Sequence, residues 1–557
     1  MTHRPPAPVL AAFALTALLL SPILPEAAGQ SSLPSPPTDS TLRGVVWTPP
    51  AQPGPAVRAL RRMVDAGVTA LRLTRLPPAE GVWSRADSLG LSLFVDLPVS
   101  YVRASALDDS LRAARPLLKR LRRRAAQHPS LRGVGLARGA DTTVPAACDV
   151  LRRWSDRVQA WGPEVETYYL TPFAASHDRC AGAAGRVLVD LRAQPSPRSR
   201  LSRWTKSASR VGVGALGTWV RPGAAAGLRV PHSPEQQARA LEDGLRLLLR
   251  GPAPPPLFVH RWQDPRSPPI PARRYGLHTR DGTARPAARV LEGFYRGTQR
   301  VFAFPDGTAP TRTPVGPLLL AWGLIGLLGG LYARNPFVRQ TLSRYFAAPG
   351  FYRDALREGR DVGPAENALL LGVVGGALGV IGTLAARVAA AQPATGWIVE
   401  ALPAALRPPI AAGLSQPVLA GLVMGGVAVL LLLGWAVLLV LAARLERPFR
   451  LAQGIMLVTW PCWPAVLGMM VALVAATQPP LPTGLLGLIL LGGGLATTVA
   501  VSARVLRDYW SVSGVELPWI VALTLPSPLV VLTLLLTALL LEYDIPLRLL
   551  WHLATRT

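Results

Sequence analysis

Cysteine, lysine and acidic residues are scarce in this chain of 557 residues. Three cysteines are too few for a disulfide scaffold or a zinc cluster. Lysine is confined to a few positions such as Lys119 and Lys206, so arginine carries almost all of the formal charge of +27. No basic stripe is interleaved with stacking aromatic residues, and the charge therefore indicates an arginine-rich composition rather than a nucleic-acid partner.

Patterns for metal and nucleotide binding are also missing. His128, His232 and His260 lie far apart in the sequence and show no metal-ligand spacing. No glycine-rich phosphate loop follows any of the predicted strands. The sequence therefore predicts neither a metal nor a cofactor.

Long apolar runs without central charges fill the C-terminal part of the chain, and half of all residues are apolar. Each run is long enough to cross a bilayer as a helix. We expect an all-α polytopic membrane domain of about six helices over 311–557, and the bare centres of its spans disfavour an ion pump or a proton-coupled transporter. The predicted spans are 315–333, 366–390, 417–443, 453–476, 483–502 and 517–541.

The N-terminus predicts export. A short basic segment precedes the apolar run 9–20, and small residues ending at Gly29 follow it. This pattern is typical of a secretory signal peptide over 1–29, with an uncleaved anchor as the alternative. A flexible Ser/Pro-rich leader is expected over 30–41.

Arginine placement orients the spans. Alternate loops are rich in arginine, whereas the intervening loops are nearly bare, and the positive-inside rule places the rich loops in the cytoplasm. We expect a multi-pass protein of the plasma (inner) membrane, in contact with membrane lipid, whose exported domain and C-terminus are extracytoplasmic. The arginines of the cytoplasmic loops are Arg334, Arg339, Arg344, Arg353, Arg357 and Arg360, then Arg444, Arg447 and Arg450, then Arg504 and Arg507.

The exported part, 42–310, alternates short apolar strands with amphipathic helices. Eight strands each followed by a helix predict an α/β fold, a closed (β/α)₈ TIM-type barrel, and an open doubly wound sheet is the alternative. The predicted strands are 43–47, 70–74, 91–99, 131–136, 165–170, 186–191, 211–220 and 257–262.

The cysteines divide between the two halves of the chain. Cys148 and Cys180 both lie in the exported part, where an oxidising compartment would let them form a disulfide. Cys462 lies in a hydrophobic segment and is expected to be a packing residue.

Several phrases of the exported part resemble the retaining glycoside hydrolases of the barrel clan that contains families 2 and 5. The phrase AGVTALRL at 66–73 resembles the second strand, in which Arg72 matches the arginine that orients the nucleophile. The run 86–98 resembles the next helix and the third strand. Trp262, followed by Asp-Pro, resembles the aromatic sugar platform after the eighth strand, and 275–287 resembles the closing phrase.

The two catalytic carboxylates that this resemblance implies are missing. Such enzymes use a general acid/base and a nucleophile at the ends of strands four and seven. Here Gly139 occupies the first position and Ala215 the second, which indicates a pseudoenzyme without catalytic residues. The alternative is that displaced acids at predicted strand ends, Asp96, Asp141 and Asp190, perform the chemistry, although such acids also serve as ion-pair partners of arginine.

A cleft without acids would keep a cationic and aromatic surface that binds a glycan or another cell-envelope polymer. The expected ligand-binding residues are Arg72, Arg138, Trp219 and Trp262, with a salt bridge as the alternative role of Arg72 and core packing as that of Trp262. The leading hypothesis is a non-catalytic sensor, receptor or scaffold. An active membrane-anchored glycosidase is the second hypothesis, and an accessory to a membrane-embedded lipid-linked sugar enzyme or exporter is the third. The sequence leaves the ligand and the oligomeric state open.

Overall fold

The computed structural model describes residues 42–77, 79–194, 196–250, 256–309, 315–346, 348–360, 362–443, 449–477 and 492–555. The predicted signal peptide, 1–29, and the predicted leader, 30–41, lie outside these residues. Everything below concerns the described ranges.

Eight parallel strands form a closed barrel in sequence order, with the first strand paired to the last. This architecture confirms the predicted fold class of the N-terminal half and excludes an open doubly wound sheet. The strands are β1 Arg43–Trp47, β2 Ala70–Leu73, β3 Ser92–Asp96, β4 Leu131–Arg138, β5 Glu166–Thr171, β6 Arg186–Arg192, β7 Val211–Gly217 and β8 Leu257–Val259.

Aromatic rings fill the inside of the barrel. Phe94 packs against Phe258 and Tyr168, with ring centroids 5.2 and 5.9 Å away. Neighbouring strands make room for the rings with glycine: a Cβ on Gly44 would lie 2.3 Å from Phe258, and a Cβ on Gly133 would lie 2.3 Å from Phe94. The interior is therefore a packed core, and any ligand space must lie at an end of the barrel.

Amphipathic helices surround the strands, with one departure from the predicted alternation. The loop 172–185 joins β5 to β6 without a helix, whereas two helices follow β3. The barrel helices are α1 Pro53–Asp65, α2 Glu80–Ser88, α3 Leu107–Ala113, α4 Arg115–Gln127, α5 Pro145–Gln159, α6 Pro197–Ser207, α7 Pro234–Leu248 and α8 Pro286–Arg296.

Helix α7 begins with a side-chain cap. The Ser233 hydroxyl accepts a hydrogen bond from the backbone N–H of Gln236 at 3.0 Å and donates one to the Gly227 carbonyl at 2.6 Å. We expect Ser233→Ala to lower the unfolding free energy by about 1–2 kcal/mol, because it removes the cap of α7. Ser196→Ala is the matched control, since Ser196 precedes α6 without a side-chain cap bond. Equal melting temperatures of the two purified variants would contradict this prediction.

The C-terminal half is helical. Four of its described helices are long and apolar enough to cross a membrane, the fourth being the broken helix Leu451–Ala476. A fifth is counted if the pair Pro528–Glu542 and Leu547–Thr555, bent by 101°, is one span. The helices are α9 Val315–Arg334, α10 Pro336–Arg344, α11 Gly350–Glu358, α12 Pro364–Ala391, α13 Ala394–Ala401, α14 Arg407–Ser415, α15 Pro417–Ala443, α16 Leu451–Thr459, α17 Ala465–Thr477, α18 Gly494–Ser513, α19 Leu517–Ala522, α20 Pro528–Glu542 and α21 Leu547–Thr555.

The last two predicted spans differ from the structure. The first nine residues of the predicted span 483–502 lie outside the described residues. Helix α18 continues to Ser513, so Arg504 and Arg507 lie on a helix and not in a loop. The predicted span 517–541 is broken into α19 and α20, because Pro526 and Pro528 remove backbone donors there. The count of six spans stays a prediction.

Glycines bring α12 and α15 into close contact. A Cβ on Gly425 would lie 2.5 Å from the Gly375 carbonyl oxygen, and a Cβ on Gly421 would lie 2.3 Å from the Gly379 carbonyl oxygen. Backbones this close pack tightly without large side chains between them. The two helices therefore form a compact hairpin, with α13 and α14 at its closed end.

Candidate functional site

A cavity of about 300 Å³ lies at the carboxyl-terminal ends of the strands. This end of a (β/α)₈ barrel carries the binding and catalytic groups of characterised enzymes with the fold. The side chains at the strand ends that line the cavity are Thr48, Thr74, Asp96, Arg138, Arg192, His260 and Arg261.

Helix α13, from the membrane half, forms one wall of the cavity. Its residues Gly396 and Glu400 line the space. The indole N–H of Trp397 donates to Asp190 Oδ2 at 3.1 Å, which fixes the helix over the end of β6. An apolar cluster joins α13 and α21 to the barrel, and its members are Tyr101, Phe173, Ala394, Trp397, Ala401, Leu549 and Leu553.

Arg273 anchors the barrel to the end of α12. Its guanidinium donates to the carbonyl oxygens of Ala390 at 2.8 Å, Gln392 at 2.6 Å and Pro393 at 3.3 Å. Carbonyl groups at a helix C-terminus carry partial negative charge and favour a cation. The same guanidinium lies 4.2 Å from the ring centroid of Trp219, so a barrel aromatic holds it in place.

Glu400 forms ion pairs with two arginines of the barrel. Its Oε1 accepts from Arg192 Nη1 at 3.0 Å, and its Oε2 lies 3.7 Å from Arg138 Nη2. Burial opposes ionisation of Glu400, but Arg192 and then Arg138 outweigh it and lower the pKa of its carboxyl to about 2. Glu400 is therefore anionic at neutral pH, although its side chain is only 12% exposed.

The two positions that the predicted resemblance assigns to catalytic carboxylates, Gly139 and Ala215, are both buried. Gly139 has a φ of +67°, and a Cβ there would lie 2.6 Å from the ring of Tyr101. The Tyr101 hydroxyl accepts a hydrogen bond from Arg192 Nη2 at 3.1 Å. Ala215 is buried on β7 beside Asp190 of β6.

Only one of the three displaced acids lines the cavity. Asp96 does so, but it pairs with Arg72 at 3.1 Å and accepts from the Tyr168 hydroxyl at 2.7 Å. Asp190 is buried under α13 and pairs with Arg192 at 2.8 Å.

The third displaced acid, Asp141, is 2% exposed and accepts from the Thr143 hydroxyl at 2.5 Å. Thr143 in turn bonds His552 Nδ1 of α21 at 2.7 Å. Asp141 therefore belongs to the contact between the barrel and the C-terminal helix and does not face the cavity.

One of the four predicted ligand-binding residues lines the cavity, and the other three do not. Arg138 lines the cavity, whereas Arg72 is buried between Asp96 and the Gly214 carbonyl. Trp219 is 4% exposed and stacks on His232 at 4.3 Å, and Trp262 is 5% exposed with His278 at 4.4 Å. Neither tryptophan lines the cavity, and both pack against histidine rings, so ligand binding by Trp219 and Trp262 stays a prediction.

The sequence interpretation missed Arg192, His260, Arg261 and Glu400. The first three could have been found, because they stand at or just after the ends of β6 and β8. Burial, and then the charge of Arg192, lowers the pKa of His260, so its ring is neutral at neutral pH. Glu400 carried no such signal, since it lies in a connection between two membrane helices.

The two cysteines of the barrel form a disulfide. Cys148 of α5 and Cys180 of the β5–β6 loop form a disulfide with an S–S distance of 2.15 Å. Cys462 is a free cysteine. No group of three or more His, Cys, Asp or Glu side chains is placed to hold a metal ion within the described ranges.

Comparison with known proteins gives fold-level similarity only. No protein-family model matches the sequence, and no curated protein matches it. Solved structures similar to the chain include a GH2 β-galacturonidase from Eisenbergiella tayi, with 14% identity over 47% of this chain and 52% of that one and a TM-score of 0.41. A β-glucuronidase from Ruminococcus gnavus has 16% identity over 46% of this chain and 50% of that one, also with a TM-score of 0.41.

A β-glucuronidase from an uncultured Clostridium has 16% identity over 43% of this chain and 46% of that one, with a TM-score of 0.40. The chain therefore spans about half the length of these solved chains. The predicted (β/α)₈ barrel rests on the closed sheet of this chain and not on these similarities. Identities this low say nothing about activity.

Proposed function

We propose that this chain is a cell-envelope membrane protein whose glycoside-hydrolase-like barrel lies outside the cytoplasm and binds a glycan without cleaving it. The observation that carries the proposal is the mouth of the barrel. A cavity of about 300 Å³ remains there, while Gly139 and Ala215 replace the two carboxylates.

The charge of Glu400 supports binding without cleavage. A retaining glycosidase needs a carboxylic acid that is protonated at working pH, together with a carboxylate nucleophile. Glu400 has a pKa lowered to about 2 and is therefore ionised, so it is unsuited to the role of the acid. The carboxyl group of Asp96, the other acid of the cavity, already accepts hydrogen bonds from Arg72 and Tyr168.

Contacts between the two halves support the proposed orientation. The barrel touches α13, in the connection between α12 and α15, and α21, at the C-terminus. Segments in contact must lie on one side of a membrane. The arginine distribution predicts an extracytoplasmic position for the same three segments, which agrees with this proposal.

The test is a hydrolysis and binding screen of the full-length protein in detergent micelles. We expect no release of reducing sugar from a broad panel of neutral and acidic oligosaccharides, and saturable binding of at least one of them. Arg138→Ala should weaken that binding, because Arg138 lines the cavity. Hydrolysis by the natural protein, or a lack of binding across the whole panel, would contradict the proposal.

One observation favours the second candidate, an active glycosidase. Asp96 of the barrel and Glu400 of α13 are two carboxylates that line the same cavity. If the screen finds hydrolysis, it should disappear in both Asp96→Asn and Glu400→Gln. Hydrolysis that survives both substitutions would place the chemistry elsewhere.

A further inference from the structure

Cationic groups outnumber acids around the cavity. Four guanidinium groups line it, those of Arg138, Arg192, Arg261 and Arg273, against the carboxylates of Asp96 and Glu400. The charge of Asp96 is already engaged by Arg72, which is buried behind the cavity wall. The space is therefore bordered by an excess of positive charge with little water to screen it.

Arg261 is the least satisfied of these cations. No carboxylate oxygen of the described residues lies within 4.0 Å of it, and its Nε is buried without a hydrogen-bond partner among them. Its one side-chain hydrogen bond among the described residues is a long one, of 3.4 Å, to the Thr48 hydroxyl. Burial, and then the charge of Arg138, lowers the pKa of Arg261 to about 10, so it remains protonated at neutral pH. A half-buried guanidinium without an ion-pair partner favours an anion beside it.

Glu400 neutralises only part of the positive charge around the cavity. Its Oε2 is buried with no hydrogen bond among the described residues, and the 3.7 Å separation from Arg138 Nη2 is too long for one. Arg192 would keep a carboxylate partner without Glu400, because Asp190 holds it at 2.8 Å. Glu400 can thus leave without exposing an unpaired charge on Arg192.

The geometry points to an anionic saccharide as the ligand of this cavity, with a carboxylate or phosphate group that competes with Glu400 for Arg138 and Arg192. This inference rests on the proposed function, and it adds the charge class of the ligand and the residue that responds to it. Arg261 supplies the cation that Glu400 does not reach.

Competition at Glu400 links the cavity to the membrane half. Glu400 lies on α13, which is held at its start by the contacts of Arg273 with the end of α12. Helix α12 packs on α15 through the glycine contacts described above. An anion that displaces Glu400 would release the end of α13 nearest to α14, and α13 would become less protected while α12 stays packed.

The experiment is calorimetric titration of the full-length protein in detergent micelles with three probes that share one ring. Glucose, glucuronate and glucose 6-phosphate differ only in the group at C6, and inorganic phosphate serves as an anion without a sugar. We expect both anionic sugars to bind at least about tenfold more tightly than glucose, which corresponds to about 1.4 kcal/mol. Whichever binds more tightly distinguishes a carboxylate from a phosphate ligand.

Three variants complete the test. Glu400→Gln should tighten the binding of anionic probes several-fold, because the amide no longer competes as an anion. Arg261→Gln should abolish the preference for anionic probes. Asp544→Asn is the control, since Asp544 pairs with Arg103 at the exposed rim of the same interface and does not line the cavity.

Amide hydrogen exchange in 394–401 should rise when an anionic sugar is added to the natural protein.

Each outcome separates the two proposals. Equal binding of glucose and glucuronate overturns this inference and leaves the proposed glycan binding standing. Phosphate binding as tight as that of glucose 6-phosphate also overturns it, because the site then takes an anion without the sugar. Weaker binding by Glu400→Gln, in a variant with an unchanged melting temperature, rejects the competition. Failure of every probe and of the whole oligosaccharide panel overturns both.

Discussion

Arg192→Ala is expected to destabilise the protein by about 3–5 kcal/mol, because it leaves buried acids without their partner. Arg192 binds Asp190 through Nε and Nη2 and Glu400 through Nη1, and the side chains of these acids are 1% and 12% exposed. A loss of this size should lower the melting temperature by about 10 °C, measured by differential scanning fluorimetry in detergent.

Arg103→Ala is the matched control for Arg192→Ala. Arg103 also joins the barrel to the C-terminal segment, through Asp544, but the side chains of this pair are 45% and 66% exposed. Exposed ion pairs contribute about 0–1 kcal/mol. Similar melting temperatures for the two variants would show that the ion pairs of Arg192 with Asp190 and Glu400 stabilise the protein no more than the exposed pair of Arg103 does.

Gly139→Ala is expected to lower the free energy of unfolding by about 2–5 kcal/mol, which is large for the addition of one methyl group. The left-handed backbone at φ +67° accounts for about 1–2 kcal/mol, and displacement of the Tyr101 ring accounts for about 1–3 kcal/mol. Gly139→Glu should be at least as destabilising and should not restore hydrolysis, because Tyr101 occupies the space that its carboxyl group needs.

Gly90→Ala separates the two contributions. Gly90 has nearly the same φ, +66°, but a Cβ there would meet nothing within 4 Å. We therefore expect Gly90→Ala to lower the free energy of unfolding only by the backbone contribution, about 1–2 kcal/mol. Tyr101→Ala in combination with Gly139→Ala should recover the steric part. A stable Gly139→Glu variant with new hydrolytic activity would mean that the acid position is still open.

The strands of the barrel were predictable because their burial is encoded locally. The predicted starts agree with the observed ones to within one residue at every strand, and the errors lie at the ends. β7 was predicted to run to 220 but ends at Gly217, and β8 was predicted to run to 262 but ends at Val259. Buried apolar residues follow both strand ends, Trp219 and Val220 after β7 and Trp262 after β8, and they extended the apolar pattern beyond the strands.

The candidate site was predictable only as far as the barrel itself forms it. Arg138 could be placed at the mouth of the barrel because it lies at the carboxyl-terminal end of β4. The opposite wall could not be identified in this way, because it depends on which segment of the membrane half contacts the barrel. That contact joins residues more than 200 positions apart, such as Arg192 and Glu400, and no local pattern encodes it. The sequence likewise did not show that the rings of Trp219 and Trp262 pack against His232 and His278.

The closed mouth has a consequence for the timing of biogenesis. The last barrel strand ends at Val259, but α13, which forms one wall of the cavity, starts only at Ala394. Between completion of β8 and synthesis of α13 the ribosome must add about 135 residues, roughly 7–27 s at typical rates of elongation. During that interval the barrel lacks this wall, so the cationic end of the nascent barrel is uncovered until the C-terminal half is made.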